Sequence, residues 1–382
     1  MPNQDDIALI AHLMRRAGFG ASRAELETFA DRGYEWTVEW LLNPEAQPDI
    51  DEYQLYRYMP MLEYPQVGYS AHGQAEWFYR MVNGQRPLQE KIALFWHQVF
   101  ATATQKVWAH GVIAQINMFR EKGLGSLRGL LVAVAQDPAM IKWLDNQESH
   151  KRSVNENWGR ELLELFSLGV GNYTETDVSE CARAFTGWTV ANADYTKQLA
   201  VRNSIWPYGK LAWRYEYNEE DHDDREKTFL GETGNFNGED IIDIICKHPS
   251  TARFISRHMY HFFVADEPPV PQWPYKPPRD IEAIKILEDA YFDSDHNIQD
   301  MLRVLFNSDF CKSEDCRYKK VKSPTELVVG VIRQTGEFDA PTPGIHEFAV
   351  TSLNGSPYEG TLAIMGQRLM NPPTVEGWHT GF

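Results

Sequence analysis

The sequence is short of most features that announce a function. Its 382 residues hold only four cysteines, Cys181, Cys246, Cys311 and Cys316. They are too few and too irregularly spaced for a disulfide framework or a zinc knuckle, so free thiols are expected, Cys311 and Cys316 included. No apolar run approaches ~18 residues, and no membrane-spanning helix is expected. The start, M-P-N-Q-D-D-I-A-L-I-A-H-L-M-R-R, lacks a cationic stretch followed by an apolar core. It does not read as a secretory signal, which makes the cytoplasm the default compartment. Positive charge is scarce: 37 Lys and Arg stand against 54 Asp and Glu, a formal net charge of -17. That argues against a nucleic-acid or anionic-membrane partner, since both need a basic footprint. A neutral or cationic ligand fits better. There is no Walker loop, no G-x-G-x-x-G and no G-x-S-x-G. Nucleotide binding and serine-hydrolase chemistry on their usual scaffolds are therefore not expected. Nothing in the sequence names a cofactor.

What the chain has in quantity is aromatic and helical pattern. Twelve Trp, 17 Tyr and 19 Phe supply large burial areas, some in the core and others free to line a groove. Apolar residues at helical spacing predict helices over about Asp5–Ala17, from Ser22 as an N-cap, and around Trp36–Leu41. Residues 43–72 read as an irregular excursion. Pro87 then opens a helix in which Leu88, Ile92, Phe95, Trp96 and Val99 form one stripe. Leu94 and Ala101 lie on the other side with Glu90 and His97, so this helix is expected to be buried and His97 interior. Further helices are expected over about 109–135, broken near Gly123 and Gly125, and over 138–145. More follow over 238–247, 251–264, 280–292, 297–307, 323–335 and 358–370. The expectation is a mainly α protein, a single helical domain over 1–382. It carries an irregular or short-strand insertion at about 190–236 and a proline-rich connector at about 267–279.

Chemistry concentrates in Val154–Trp188. On a helix over 155–168, Trp158, Leu162, Leu165 and Phe166 make the apolar face. Glu156, Arg160 and Glu164 fall at i, i+4 and i+8, either a solvated ladder or part of a site. Glu161 sits at the border of the apolar face, where a carboxyl is partly desolvated and its pKa rises, the condition for a general acid. A second helix begins after Tyr173, capped by Thr174 or Thr176. Arg183 on it is expected to reach back to a glutamate of the preceding helix. Catalytic candidates are Glu161, Glu164, Arg160 and His97. Binding candidates are Asn157, Arg183, Trp188, His222 and Asp223. His222-Asp223-Asp224 resembles a ligand-binding turn, although no EF-hand spacing surrounds it. His97 with Glu90 is a weaker, metal-type pairing. Glu161-Leu162-Leu163-Glu164 has half the spacing of a di-metal bundle but no Glu-x-x-His nearby. His258 and His261 are expected at the surface.

Several blocks occur in order along the chain. They are H-L-M-R-R-A-G-F-G at 12–20, L-Q-E-K-I-A-L-F-W-H at 88–97, W-L-D-N at 143–146 and the whole 155–188 stretch. H-D-D-R-E-K-T-F-L-G at 222–231, H-P-S-T-A-R-F-I-S-R at 248–257, K-S-P-T-E-L-V-V-G at 322–330 and M-G-Q-R-L-M-N-P-P-T-V-E-G-W at 365–378 follow. In these the chain resembles the bacterial domain-of-unknown-function family 1800 over essentially its full length. The resemblance implies a helical domain. It also implies, by association, an exported setting and a sulfatase-like protein partner encoded nearby, hence an extracellular polymer. Two departures stand out. Relatives commonly carry a second histidine just after the one matching His97, where this chain reads Gln98-Val99-Phe100. The chain also stops at Phe382 where relatives usually continue into a further helix, as a fragment or shortened member would.

Three functional expectations follow. The first is a hydrolase or lyase of a carbohydrate polymer, with Glu161 and Glu164 as an acid/base pair about 6 Å apart and Trp and Tyr as sugar platforms. The second is a metal-dependent enzyme using His97, Glu90 and Glu161. The third is a non-catalytic scaffold for a neighbouring sulfatase-like protein.

Overall fold

Helices follow one another through most of the computed structural model, which describes residues 2–51, 70–191, 213–268, 275–336 and 362–378. In chain order they are α1 (Gln4–Ala17), α2 (Arg23–Arg32), α3 (Tyr34–Leu42), α4 (Ser70–Asn83), α5 (Pro87–Val99), α6 (Ala109–Lys122), α7 (Leu127–Ala135) and α8 (Pro138–Trp143). After these come α9 (Asn157–Glu164), α10 (Glu175–Ala184), α11 (Gly238–Lys247), α12 (Pro249–Phe263), α13 (Ile281–Asp293), α14 (Ile298–Asn307), α15 (Asp309–Lys312) and α16 (Pro324–Thr335). The mainly α expectation holds. The boundaries follow local chemistry: α2, α10, α11 and α16 each start at a reciprocal capping box, the last closed by Ser323 and Glu326.

Among the described residues, strands are confined to two small antiparallel pairs. β1 (Trp188–Ala191) pairs with β2 (Arg214–Tyr217), and β3 (Lys227–Phe229) with β4 (Glu232–Gly234). The rest of the insertion, 192–212, and residues 269–274 of the connector lie outside the described residues. Three expectations need correction. The excursion at 43–72 gives way to α4 from Ser70. The helix expected over 155–168 ends at Glu164, because Leu168 and Gly169 both donate to the carbonyl of Leu163 and Gly169 takes φ 78°. Of the helix expected at 358–370, residues 358–361 lie outside the described residues, 362–364 form one helical turn, and 365–378 run on through turns.

Helix α5 is the centre. Every residue of it except Gln98 is buried, and it touches α1, α3, α4 and α6. Phe95 packs against Phe262 and Phe263 of α12, with ring centres 5.2 and 5.8 Å away. Phe263 in turn meets Phe306 of α14 edge-on at 5.7 Å. One contiguous apolar cluster thus runs from Ile10 to Trp378. Helix α12 is enclosed too, which corrects the reading of His258 and His261 as surface residues. The Nε2 atoms of both are shut off from solvent without a partner. Burial pulls their pKa values down to about 3 and about 4. Arg253 on the same helix does reach out, to Glu288 at 3.0 Å. Among the described residues no helix is long and apolar enough to cross a membrane.

A fully buried cation on α5 is the costly element of this core. Lys91 is 0% exposed, lies over the rings of Phe19 and Phe262, and pairs with Glu326 at the start of α16. Burial opposes the charge on Glu326, but Lys91 and Lys320 hold its pKa down to about 2. Lys91→Met is expected to destabilise the fold by about 3–5 kcal/mol in denaturant titration, because Glu326 is left buried and charged. Adding Glu326→Gln keeps an acceptor for the cap and should recover part of that loss. A double variant no more stable than Lys91→Met would contradict this account.

Candidate functional site

The N-E-N run at 155–157 fixes where α9 begins. Asn155 accepts from the backbone N–H of Asn157 at 3.0 Å and donates to the Asp145 carbonyl at 3.3 Å. The Asn157 side chain donates to the Leu144 carbonyl at 3.3 Å. Asn157, expected to bind substrate, thus pins α9 to the end of α8. Gly159 lets α9 lie close on α10: a Cβ there would sit 3.0 Å from the backbone nitrogen of Ala182.

The charged ridge splits on folding. Arg160 binds Glu175 of α10 through two hydrogen bonds of 3.0 and 2.7 Å and reaches Glu156 at 3.4 Å. It is a tie between α9 and α10, and Glu164 is left to accept a hydrogen bond from the Tyr173 hydroxyl at 3.0 Å. Glu161 is the exception. It is half-buried, and its carboxyl makes no hydrogen bond or ion pair with any described residue. Burial, with Glu164 next, raises its pKa to about 7; Arg160 opposes this and Glu376 adds to it. The same pressures, burial first and then Glu164, push the Tyr173 phenol upward.

Glu376 comes from the turn at 374–377, closed by Gly377 N–H to the Thr374 carbonyl at 3.1 Å. Gly377 is required there: its φ is 84°, and a Cβ would run into the Gln98 carbonyl at the end of α5. That close approach lays Trp378 edge-on against His97, 5.4 Å between ring centres, while Trp77 of α4 flanks His97 at 5.6 Å. One turn therefore brings Glu376 toward Glu161 and seats Trp378 on His97. His97 is 0% exposed, and neither ring nitrogen has a partner. Burial pulls its pKa to about 3 against the opposing effect of Gln115, whose amide is held by Thr102 and Asp137 at 2.6 Å each. His97 is thus a neutral ring at physiological pH. Beyond it, Asp137 caps α8, and burial raises its pKa to about 7.

The remaining candidates gather in a separate knot. Arg183 does not reach the preceding helix; it holds Glu180 on its own helix at 2.7 Å and Asp223 at 2.9 Å. Its position three residues after Glu180 turns it toward the 222–229 segment. The Asp223 carboxylate also takes Arg225, the Asp223 backbone N–H donates to the Thr186 hydroxyl oxygen at 2.8 Å, and Arg225 and Arg183 hold the carboxyl's pKa far below the usual carboxylate range. His222 meets the Thr186 carbonyl at 2.9 Å, and Asp224 pairs with Lys151 at 3.3 Å. Trp188 is 2% exposed, with its indole N–H given to Asn237 at 2.9 Å. Arg183, His222 and Asp223 hold the end of α10 to the 222–229 segment, and Trp188 ties β1 to the start of α11.

For metal chemistry, Glu90 is committed to Arg120 at 2.9 and 3.0 Å. Among the described residues no group of three His, Cys, Asp or Glu side chains comes together as a metal would require. All four cysteines are free and buried. Sequence reasoning found Glu161 and its raised pKa but missed Glu376, Trp378 and Trp77. The first two sit in the V-E-G-W end of a quoted block, where the glycine was the available signal.

Fold and site together define a helical protein with an unpaired, proton-holding carboxyl beside a late-sequence turn. The family model described as protein of unknown function, DUF1800, matches residues 12–381, and the chain belongs to that family. No curated protein and no solved structure matches it.

Two stability predictions follow from these charges. Glu161 carries its proton in the folded state up to about pH 7 but releases it near 4.5 when unfolded. Folding stability from this group therefore falls as pH rises through that window. Glu161→Gln should be nearly neutral at pH 5 and more stable than the parent at pH 8, read as melting temperature. Asp223 has the opposite sign. Asp223→Asn should cost about 2–3 kcal/mol at pH 7, and the gap should close as pH falls below about 4. A pH-independent difference in either variant would refute the assignment.

Proposed function

We propose that the chain is a hydrolase or lyase of a carbohydrate polymer in which Glu161 is the general acid. The observation that carries this is the Glu161 carboxyl: half-buried, unpaired, and holding a proton near neutral pH between Glu164 and Glu376. A carboxyl kept protonated beside a second carboxylate is the pairing glycoside cleavage uses. In hydrolysis, Glu161 gives its proton to the leaving glycosidic oxygen as the C–O bond breaks. Glu164, oriented by the Tyr173 hydroxyl, takes a proton from the attacking water, which adds to the sugar carbon. Arg160 holds α9 against α10, and Trp378 over His97 holds the turn that carries Glu376. The heavy Trp and Tyr content supports a sugar substrate, since rings stack on sugar faces.

The test is release of reducing ends from a panel of neutral and charged polysaccharides. Glu161→Gln is expected to lower kcat by about 10²–10⁴-fold, and the parent's activity should fall as pH rises past about 7. Full activity in Glu161→Gln would remove the residue from the mechanism. Failure of the parent on every polymer would remove the substrate class.

A further inference from the structure

A protein with a net charge of -17 has little reason to gather cations, yet it does so at one place. Helix α1 ends in Arg15 and Arg16, and the segment packed on it, 312–322, carries Lys312, Arg317, Lys319, Lys320 and Lys322. The packing is fixed by two hydrogen bonds from α1. His12 meets the Cys311 carbonyl at 3.0 Å, and Arg16 donates to the Cys316 carbonyl at 3.0 Å.

Not all these charges are spent. Arg16 is taken by its carbonyl, and Lys320 lies 3.6 Å from Asp266. Lys312 sits over the Tyr34 ring at 4.8 Å. Arg15, though half-buried, makes no hydrogen bond or ion pair with a described residue, and neither does the side chain of Lys322. Arg317 touches only Glu314, which is 85% exposed, at 3.2 Å, and its Nε is buried with no partner at all. The dipole of α1 accounts for cations in its last turn, but not for an orphaned guanidinium nitrogen on the facing segment. The three groups also sense one another. Burial, then Arg16 and Arg317, depress Arg15, and burial, then Arg15, depresses Lys322. Such an arrangement is unfavourable alone and is relieved by one anion accepting from several donors.

We propose that the end of α1 and the 312–322 segment form a binding site for a tetrahedral oxyanion, a phosphate or sulfate group, held by Arg15, Arg317 and Lys322. The guanidinium groups supply forked donors and Lys322 a movable third contact. Tyr318 is 95% exposed beside Arg15 and offers a ring for an organic portion attached to the anion. This site uses none of the residues assigned to the carboxylate chemistry, so the two readings stand or fall separately.

The test is calorimetric titration of the full chain at constant ionic strength with inorganic phosphate, inorganic sulfate and glucose 6-phosphate, against chloride. Saturable one-site binding is expected, weakened at least tenfold in Arg15→Gln/Lys322→Gln and unchanged in Lys122→Gln, which removes a cation elsewhere. Tighter binding of the sugar phosphate than of free phosphate would assign an organic monoester. Equal binding would assign the free anion. Should the double variant misfold by circular dichroism, Lys322→Gln alone serves with the same expectation of weaker binding. No saturable binding of any probe, or unaltered affinity in the folded variant, overturns the proposal.

Discussion

A buried helix that carries charge must draw its partners from somewhere, and α5 draws them from most of the chain. Glu90 takes Arg120 from the next helix, Lys91 takes Glu326 from α16, and His97 takes rings from α4 and from Trp378. An apolar α5 would pack with many neighbours interchangeably. This one accepts only the arrangement that neutralises Glu90 and Lys91, because an unpaired buried charge costs several kcal/mol. Specific registration of distant segments follows from that constraint, including the turn that carries Glu376.

Legibility in the sequence divided along physical lines. Helices with an apolar stripe and a capping signal, such as α2, α11 and α16, could be read directly, since both signals are local. So could the enclosure of α5 and the border position of Glu161, because helical periodicity alone assigns faces. What could not be read was pairing. Whether Arg160 would choose Glu164 or Glu175, and whether Arg183 would turn back or toward Asp223, depends on how neighbouring segments cross. His258 and His261 were misread for a related reason: their own helix does not show what packs on it, and α12 is enclosed by α13 and α5. The short end of α9 was hidden in the same way, since Leu165 and Phe166 stay apolar and buried after the helix has stopped.

The site shows how one carboxyl among several becomes distinctive. Glu156, Glu164 and Glu175 each find a hydrogen-bond donor, so their charge is supported. Glu161, one position along from Arg160, faces the wrong way to share it and finds two other carboxylates instead. Its proton affinity is a product of exclusion: what matters is the absence of a donor at a partly dry position. The knot around Asp223 is the reverse case, a carboxylate well supplied with donors and held charged by them.

The close approach of Gly377 to α5 also sets an order of events. Residues that shape the candidate site lie at both ends of a long stretch of sequence, and the segment bearing Glu376 and Trp378 is synthesised long after Glu161 and His97. Folding proceeds largely from the N-terminal side during synthesis, and contacts between such distant segments form slowly. During synthesis Glu161 would therefore lack its late neighbour, and the His97 ring would wait for Trp378. The carboxyl would acquire its full proton affinity only when the 374–378 turn closes over α5.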